Sequence, residues 1–313
     1  MLRSHPEASE PWSGAIWIDL CNATDSERAA VERATGLRVP DQSAVREIET
    51  SSRVYTEKDA LYLSTPIPAS ANASEPLSAV GFVLTQRLLI SVRFAENAVF
   101  DGLFQGCQGA PARTAGDAFL RVLEALVDRA ADTLEYCSAE LDGLSHRAFH
   151  AEKVHRRAQK SASDKLRGTL RKLGQMADRI SQIRDTLLGF GRIAAFVCEA
   201  GNTIVSSDER PRLLAARADV SSLNDYQQHL SGKVQFLLDA TLGFISMEQN
   251  DVVKALTIVS VVGVPPVLVG GIYGMNFVHM PELHWVFGYP FALFLMLITG
   301  LLPLIWFKWR GWM

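Results

Sequence analysis

Two long runs without a charged residue constrain this chain more than any other feature of its sequence. They cover residues 255–271 and 285–307, and neither contains Asp, Glu, Lys or Arg. Each run is close to the roughly 20 apolar residues that a helix needs to cross a hydrocarbon core. Because the bilayer interior offers no water to unpaired backbone groups, two such runs joined by a short loop predict a membrane-spanning helical hairpin.

The flanking residues predict the orientation of the hairpin. Lys254 precedes the first run, Lys308 and Arg310 follow the second, and the loop of residues 277–284 has no Lys or Arg. Because basic residues favour the cytoplasmic side, we expect a multi-pass protein of the cell (inner) membrane with both termini in the cytoplasm. Aromatic residues typical of the membrane interface lie at both ends of the second run: Trp285, Tyr289, Trp306, Trp309 and Trp312.

Charge and cysteine usage argue against several functional classes. The formal net charge is -3 and the pI is about 6.2, which does not indicate a nucleic-acid-binding protein. The four cysteines are too widely spaced for a zinc or redox motif. The N-terminal part contains no phosphate-binding glycine loop and no nucleophile constellation. We therefore expect no resident cofactor and no enzymatic activity.

The whole pattern predicts an α+β membrane protein: an N-terminal α/β cytoplasmic domain, a helical layer with a long stalk helix, and a C-terminal two-helix transmembrane hairpin. We expect a flexible tail over residues 1–14, the α/β domain over 15–112, and the helical domain with the stalk over 113–249. The transmembrane domain then covers 250–313, with spans at about 252–273 and 285–307 and an outer loop at 274–284.

Local signals support the first two of these regions. A short apolar run at residues 15–20 predicts a strand, and Thr24 with Glu27 predicts a capping box at the start of a helix. Two predicted β-hairpins follow, one at residues 53–63 and one at residues 80–92. The segment from Asp101 to Gly116 holds four glycines and Pro111, which is typical of a linker.

After this segment the apolar residues recur at helical spacing to about Ala200. Pro211 interrupts the pattern, and a new helix begins near it. Its apolar positions, in alternating steps of four and three, predict a seam that packs against copies of itself or a neighbour: Leu230, Val234, Leu237, Thr241 and Phe244. No proline follows from Asp219 until Pro265, so one helix is expected to continue into the first span.

The first span is polar along one side. Asn250, Thr257 and Ser260 share a face, and glycines occur further along the same span. Small and hydroxylated residues also serve helix packing in lipid, so a packing stripe is one interpretation. A transport pathway is the other, and it requires several copies around an axis because two spans cannot enclose a pore.

The residues between and around the spans resemble a known family. The sequence Tyr273-Gly274-Met275-Asn276-Phe277 precedes Met280-Pro281-Glu282-Leu283, and the motif Phe287-Gly288-Tyr289-Pro290 follows Trp285. This combination is similar to the signature of the CorA family of divalent-cation channels. The similarity is strong over roughly the last 90 residues, and the rest of the chain is compatible in architecture.

The resemblance implies a homopentamer that moves Mg²⁺ or another divalent cation. By position, Tyr273, Gly274, Met275 and Asn276 form the outer mouth, where five Asn276 amides hold the hydrated ion through its waters. The pore-lining positions are Asn250, Val253, Leu256, Thr257, Ser260, Val264, Val267 and Gly271. Family pores often carry threonine at the position of Val267 and methionine at that of Val264, so this pore is expected to differ at those levels.

Further candidates concern regulation and selectivity. In the family, acidic residues between neighbouring cytoplasmic domains sense Mg²⁺, and Asp219 and Asp225 are the candidates here for such a regulatory ion. Glu282 in the outer loop can raise the local cation concentration. His279 and His284 beside it suit Zn²⁺, Co²⁺ or Ni²⁺, so transport of these ions is an alternative. A membrane-tethered sensor or scaffold is the alternative of another class.

Overall fold

The computed structural model describes residues 1–6, 12, 14–47, 53–68, 77–150, 159–201, 203–275 and 285–312. The chain forms two compact units. The first comprises Met1–Arg156 with Arg167–Leu238, and the second comprises Arg157–Leu166 with Asp239–Met313.

A six-stranded mixed sheet is the first element of the first unit. Its strands are β1 (Leu2–His5), β2 (Trp17–Cys21), β3 (Val54–Glu57), β4 (Ala60–Pro68), β5 (Leu77–Leu84) and β6 (Leu89–Arg93). Their order is β1-β2-β6-β5-β4-β3. Only the β2–β6 pair is parallel, while the β3–β4 and β5–β6 pairs are the two predicted antiparallel hairpins, which are confirmed.

The prediction of a flexible tail over residues 1–14 is wrong for its first part. Residues 2–5 pair with residues 17–20 as an antiparallel edge strand. The N-terminal amine also donates a hydrogen bond to the carbonyl oxygen of Cys21 at 2.7 Å. The run is too short and too mixed to show an alternating pattern, so its strand character depends on the neighbouring strand β2.

Two short helices lie between β2 and β3 in the described part of this connection. Helix α1 (Asp25–Thr35) begins with the predicted capping box between Thr24 and Glu27, which is confirmed. Gly36 ends it in the left-handed region, with φ of 69°, a conformation that glycine adopts at low cost. Helix α2 (Gln42–Arg46) is capped by the side chain of Asp41.

The predicted linker at residues 101–116 is largely a helix, so that prediction is wrong. Helix α3 (Ala98–Gly109) is capped by Asn97, whose side chain accepts a hydrogen bond from the backbone of Val99. Phe100 is fully buried and Phe104 stacks on Trp17 with ring centroids 4.1 Å apart. The aromatic residues therefore dock the helix on the sheet and outweigh the low helix propensity of its glycines.

Three long helices contribute to the first unit: α4 (Ala115–His150), α5 (Gln159–Ala200) from Arg167 onwards, and α6 (Arg210–Tyr273) up to Leu238. Pro211 lies in the first turn of α6, where its missing N–H costs nothing. Each helix buries a stripe with alternating steps of three and four residues, typical of coiled coils. The stripes contain Leu123, Val127, Ala130, Leu134, Cys137, Leu141 and Leu144 in α4; Leu173, Met176, Ile180, Ile183, Leu187 and Phe190 in α5; and Leu213, Ala216, Val220, Leu230, Val234 and Leu237 in α6.

Contacts along α4 and α6 show that the two helices run in the same direction. Arg212 contacts Glu124, Lys233 contacts Asp142, and the rings of Phe236 and Phe149 stack with centroids 6.0 Å apart. Residue numbers thus rise together on both helices.

The helices and one face of the sheet share a single hydrophobic core. Gly189 of α5 permits the closest approach, because a Cβ atom there would overlap the side chain of Thr65 on β4. The boundary predicted at residue 112 therefore does not separate two cores.

The second unit contains the membrane part of α6 and helix α7 (Gly288–Trp309). Helix α6 is continuous to Tyr273, as the sequence predicts, and it includes Pro265 and Pro266. Both helices are long and apolar enough to cross a membrane, with a mean hydropathy of 2.1 over an 18-residue stretch of each.

Candidate functional site in the membrane hairpin

The two spans pack through glycines. A Cβ atom on Gly300 of α7 would lie 3.3 Å from Cγ of Pro266 and 3.8 Å from the carbonyl oxygen of Val262, both on α6. A Cβ atom on Gly270 of α6 would lie 3.2 Å from Cε of Met296 on α7. The absent side chains therefore permit close backbone approach, which is how helices associate in lipid.

The packing face of α6 is defined by Val262, Pro266 and Gly270, which follow one another at four-residue steps. Ser260, Val264 and most of the other predicted pore positions lie on a different side of the helix. At 3.6 residues per turn, the two sets lie roughly half a turn apart around the helix. The polar stripe is therefore not the surface that packs against α7.

Exposure agrees with this geometry. Seven of the eight predicted pore positions are exposed in the single chain: Asn250, Val253, Leu256, Ser260, Val264, Val267 and Gly271. Among the apolar side chains of this set, Leu256 is 67% exposed and Val267 is 75% exposed. The eighth, Thr257, is half-buried, and its hydroxyl donates to the carbonyl oxygen of Val253 at 2.8 Å. The hydroxyl oxygen of Thr257 keeps its acceptor capacity.

The C-terminal end of α6 lies in the glycine-containing motif. After half-buried Tyr273, the N–H of Gly274 bonds the carbonyl oxygen of Gly270 at 3.0 Å. The N–H of Met275 donates to the carbonyl oxygen of Ile272 at 3.2 Å, three residues back, so the last turn is tighter than an α-helical turn. A Cβ atom on Gly274 would lie only 3.2 Å from the Gly270 oxygen, so a small residue suits this turn.

The rest of the predicted mouth lies outside the described residues. This holds for Asn276 and for His279, Glu282 and His284 of the outer loop. Their roles stay predictions from the sequence.

Aromatic and basic residues mark the other end of α7. Arg310 lies over the ring of Trp306 at 5.5 Å, and Phe307 stacks on Trp312 with centroids 5.4 Å apart. Such groups prefer the membrane–water boundary. Helix α7 ends at Trp309, and the span boundary at about residue 307 stays a prediction.

Comparison with known proteins agrees over nearly the whole chain. The solved CorA magnesium transporter of Methanocaldococcus jannaschii matches with a TM-score of 0.78 at 18% identity, covering 98% of this chain and 95% of that one. The magnesium transport protein CorA of Escherichia coli (strain K12) is 30% identical over 317 residues, which is 100% of this chain and 96% of the relative. CorA of Salmonella typhimurium has the same identity and coverage. The family model of the CorA-like Mg2+ transporter protein matches residues 12–309.

The chain belongs to the CorA family. The resemblance inferred from the residues around Gly274 and the predicted fold class are confirmed. Members of the CorA family are ion transporters, so the expectation that the chain is not an enzyme is confirmed by its membership. The two apolar helices fit a two-span membrane protein.

The two acidic candidates for a regulatory ion are both exposed on α6. Asp219 and Asp225 lie in its N-terminal half. Within the described part of the chain, no group of three or more His, Cys, Asp or Glu side chains is placed to hold a metal. The regulatory role of these aspartates stays a prediction.

An ionic cluster at the start of α6 was not predicted from the sequence. Arg212 donates to Asp117 and to Glu124, each at 2.7 Å. Burial opposes ionisation of Asp117, but hydrogen bonds from Arg212, from the backbone of Arg113 and from Arg121 outweigh it and hold its pKa below the usual value. The hydrogen bonds that Arg212 donates to Glu124, and then those to Asp117, outweigh burial and raise the pKa of Arg212. The partners are 88 and 95 residues apart, a separation that no local pattern reveals.

Proposed function

We propose that this CorA-family chain forms a homopentamer that conducts Mg²⁺ passively into the cytoplasm. The observation that carries the proposal is the position of the polar stripe of α6, which is exposed and faces away from α7. In a ring of copies this face can turn towards the common axis while α7 faces lipid. Full-length similarity to proteins named magnesium transport protein supports the choice of ion.

The proposed pore has polar ends and an apolar middle. Five copies of Asn250 would place amides at the cytoplasmic entrance. Val253, Leu256, Val264 and Val267 would form narrow apolar rings, and such constrictions can gate a channel by excluding water. Ser260 would interrupt the apolar section with five hydroxyl groups.

The proposed mouth suits a hydrated cation. Mg²⁺ gives up its octahedral water shell reluctantly. Neutral amide oxygens of Asn276 can bind that shell through hydrogen bonds, weakly enough for the ion to leave. The inward-negative membrane potential then supplies about 2.3 kcal/mol per charge per 100 mV, twice that for a divalent ion.

The decisive test is ion flux into proteoliposomes containing the purified full-length chain. We expect saturable Mg²⁺ entry that Asn276→Ala abolishes without changing the oligomeric mass by native mass spectrometry. Asn224→Ala, on the cytoplasmic part of α6, is the matched control and should keep wild-type flux. Retained flux in Asn276→Ala would refute the proposed mouth, and absence of flux in the wild type would favour a sensor or scaffold.

The pore face itself can be tested by labelling. In a background without the four native cysteines, Ser260→Cys and Val259→Cys differ by one residue and both sites are exposed in the single chain. Because they lie about 100° apart around the helix, only Ser260→Cys should react with a charged, membrane-impermeant thiol reagent and lose flux. Equal reaction at both sites would contradict the proposed orientation.

To determine the ion preference, the flux into proteoliposomes has to be measured separately with Mg²⁺, Zn²⁺, Co²⁺ and Ni²⁺. The alternative of transition-metal transport rests on His279 and His284, since neutral imidazole suits these ions. If it holds, changing both to Gln should lower Zn²⁺ or Co²⁺ entry while Mg²⁺ entry persists. Unchanged entry would remove the histidines from selectivity.

A further inference from the structure

A cavity of about 460 Å³ is lined by residues of the first unit. It lies between α4 and α5 and is bordered by the end of β4 and the start of α3. Its volume is within the range of small-molecule pockets, which is about 300–1,000 Å³. Nothing in the proposed ion pathway uses it.

Helical periodicity builds two of its walls. Arg129, Asp132, Thr133 and Tyr136 occupy one face of α4 at steps of three and four residues. The wall from α5 has the same periodicity and contains Arg179, Gln182, Ile183, Thr186 and Phe190. A ligand between these helices would therefore contact side chains in regular order on both sides.

The floor of the cavity is apolar. Leu126 and Ala130 of α4, with Ile183 and Phe190 of α5, are buried there. Thr186 is also buried, but its hydroxyl donates to the carbonyl oxygen of Gln182 at 3.0 Å. Such a surface gives water few hydrogen-bonding partners and favours an apolar or aromatic group.

The rim is mainly positive. Arg129 and Arg179 line it from two helices, and the guanidinium of Arg179 is held over the ring of Tyr136 at 5.1 Å. Asn97, Ala98 and Val99 also line it, so the positive end of the α3 dipole faces the same space. Asp132 is the acidic residue of this lining. The balance favours one or two negative charges rather than a polyphosphate.

We propose that this cavity binds a small organic anion. Its carboxylate or phosphate head contacts Arg129, Arg179 and the start of α3. Its apolar or aromatic body lies on the floor formed around Ile183 and Phe190. The inference is independent of the proposed ion conduction, since every residue involved belongs to the first unit.

The test is equilibrium binding to the full-length protein in detergent, followed by ligand-observed NMR against protein-free micelles. The probes are 1-naphthyl phosphate, 1-naphthoate and AMP. Inorganic phosphate is the control ligand, because it has the anionic group but no apolar group. We expect at least one organic anion to bind with a Kd of about 1 mM or tighter. Inorganic phosphate should bind at least about tenfold more weakly, a difference of about 1.4 kcal/mol.

Substitutions in the cavity test whether the organic anion binds there. The double substitution Arg129→Gln and Arg179→Gln should raise the Kd of the organic anion at least about tenfold. Arg184→Gln is the matched control, because Arg184 is exposed on α5 and does not line the cavity. Circular dichroism and gel filtration should show that all variants are folded. Absence of saturable binding by all three organic anions, or equal binding by the double variant, would overturn the proposal.

Discussion

The two parts of helix α6 differ in where their apolar residues find partners. Leu230 in the N-terminal part is 1% exposed, whereas Leu256 in the apolar C-terminal part is 67% exposed. Both residues are leucines on the same continuous helix. The N-terminal part packs against other helices of its own chain, while the C-terminal part has apolar surface left for lipid or for further copies. A single helix can thus serve folding at one end and assembly at the other.

The coiled-coil pattern alone does not distinguish these two uses. Its seam predicts packing against copies or a neighbour, and the structure places Leu230, Val234 and Leu237 in the chain's own core. Partners for the seam come from α4 and α5, whose stripes have the same spacing. A seam can therefore be assigned to assembly only when the other helices of the same chain offer no apolar stripe for it to pack against.

The strongest contrast should come from truncating a buried seam residue. Leu230→Ala removes a side chain from a packed core, so we expect a loss of about 2–5 kcal/mol in the free energy of unfolding. Thermal or denaturant unfolding in detergent, followed by circular dichroism, measures it. A loss below about 1 kcal/mol would mean that this core is loosely packed.

A smaller effect is expected where α5 approaches the sheet. Gly189→Ala introduces a Cβ atom into the side chain of Thr65 and should cost about 1–3 kcal/mol. Gly174→Ala on the same helix meets open space and should stabilise the protein by about 0.5–1 kcal/mol. If the two substitutions change the free energy of unfolding in opposite directions, the close approach at Gly189 is confirmed. Changes in the same direction would contradict it.

The ionic cluster at the start of α6 should contribute less. Arg212 is partly exposed, so solvent screening limits the loss in Arg212→Gln to about 1 kcal/mol at neutral pH. Because the folded-state pKa of Asp117 is lowered, its stabilising contribution is present above its usual value of 3.8 and is lost as pH falls through the folded pKa. The variant should therefore lose less stability than the wild type on acidification below about pH 4. Parallel pH profiles would exclude this linkage.

The smallest effect on stability is expected in the membrane part. Leu256→Ala removes an exposed side chain and should change the free energy of unfolding of the chain by less than about 0.5 kcal/mol. If Leu256 lines a constriction, the same substitution should raise basal Mg²⁺ flux in proteoliposomes. A large stability loss with unchanged flux would place Leu256 in a packing interface instead.

The sequence predicted those features that depend on local chemistry. The capping box at Thr24, the two hairpins and the continuity of α6 follow from short-range patterns, and the structure has all three. The exposed stripe around Ser260 followed from helical periodicity in the same way. Features that depend on distant partners were missed or misread.

Residues 2–5 become a strand because β2 pairs with them, and the glycine-rich segment becomes a helix because Phe100 and Phe104 dock on the sheet. The bonds of Arg212 join residues far apart in the chain. None of these partners is adjacent in sequence, so composition and periodicity do not reveal them. The roles of Asn276 and the outer loop stay predictions.

The adjacent prolines within α6 have a mechanical consequence. Pro265 and Pro266 lack N–H groups, so the carbonyl oxygens of Val261 and Val262 receive no helical hydrogen bond from them. Two successive rungs of the ladder are therefore missing near the middle of the first span. The helix therefore bends most easily at this point, so we expect bending of the first span to concentrate at Pro265 and Pro266.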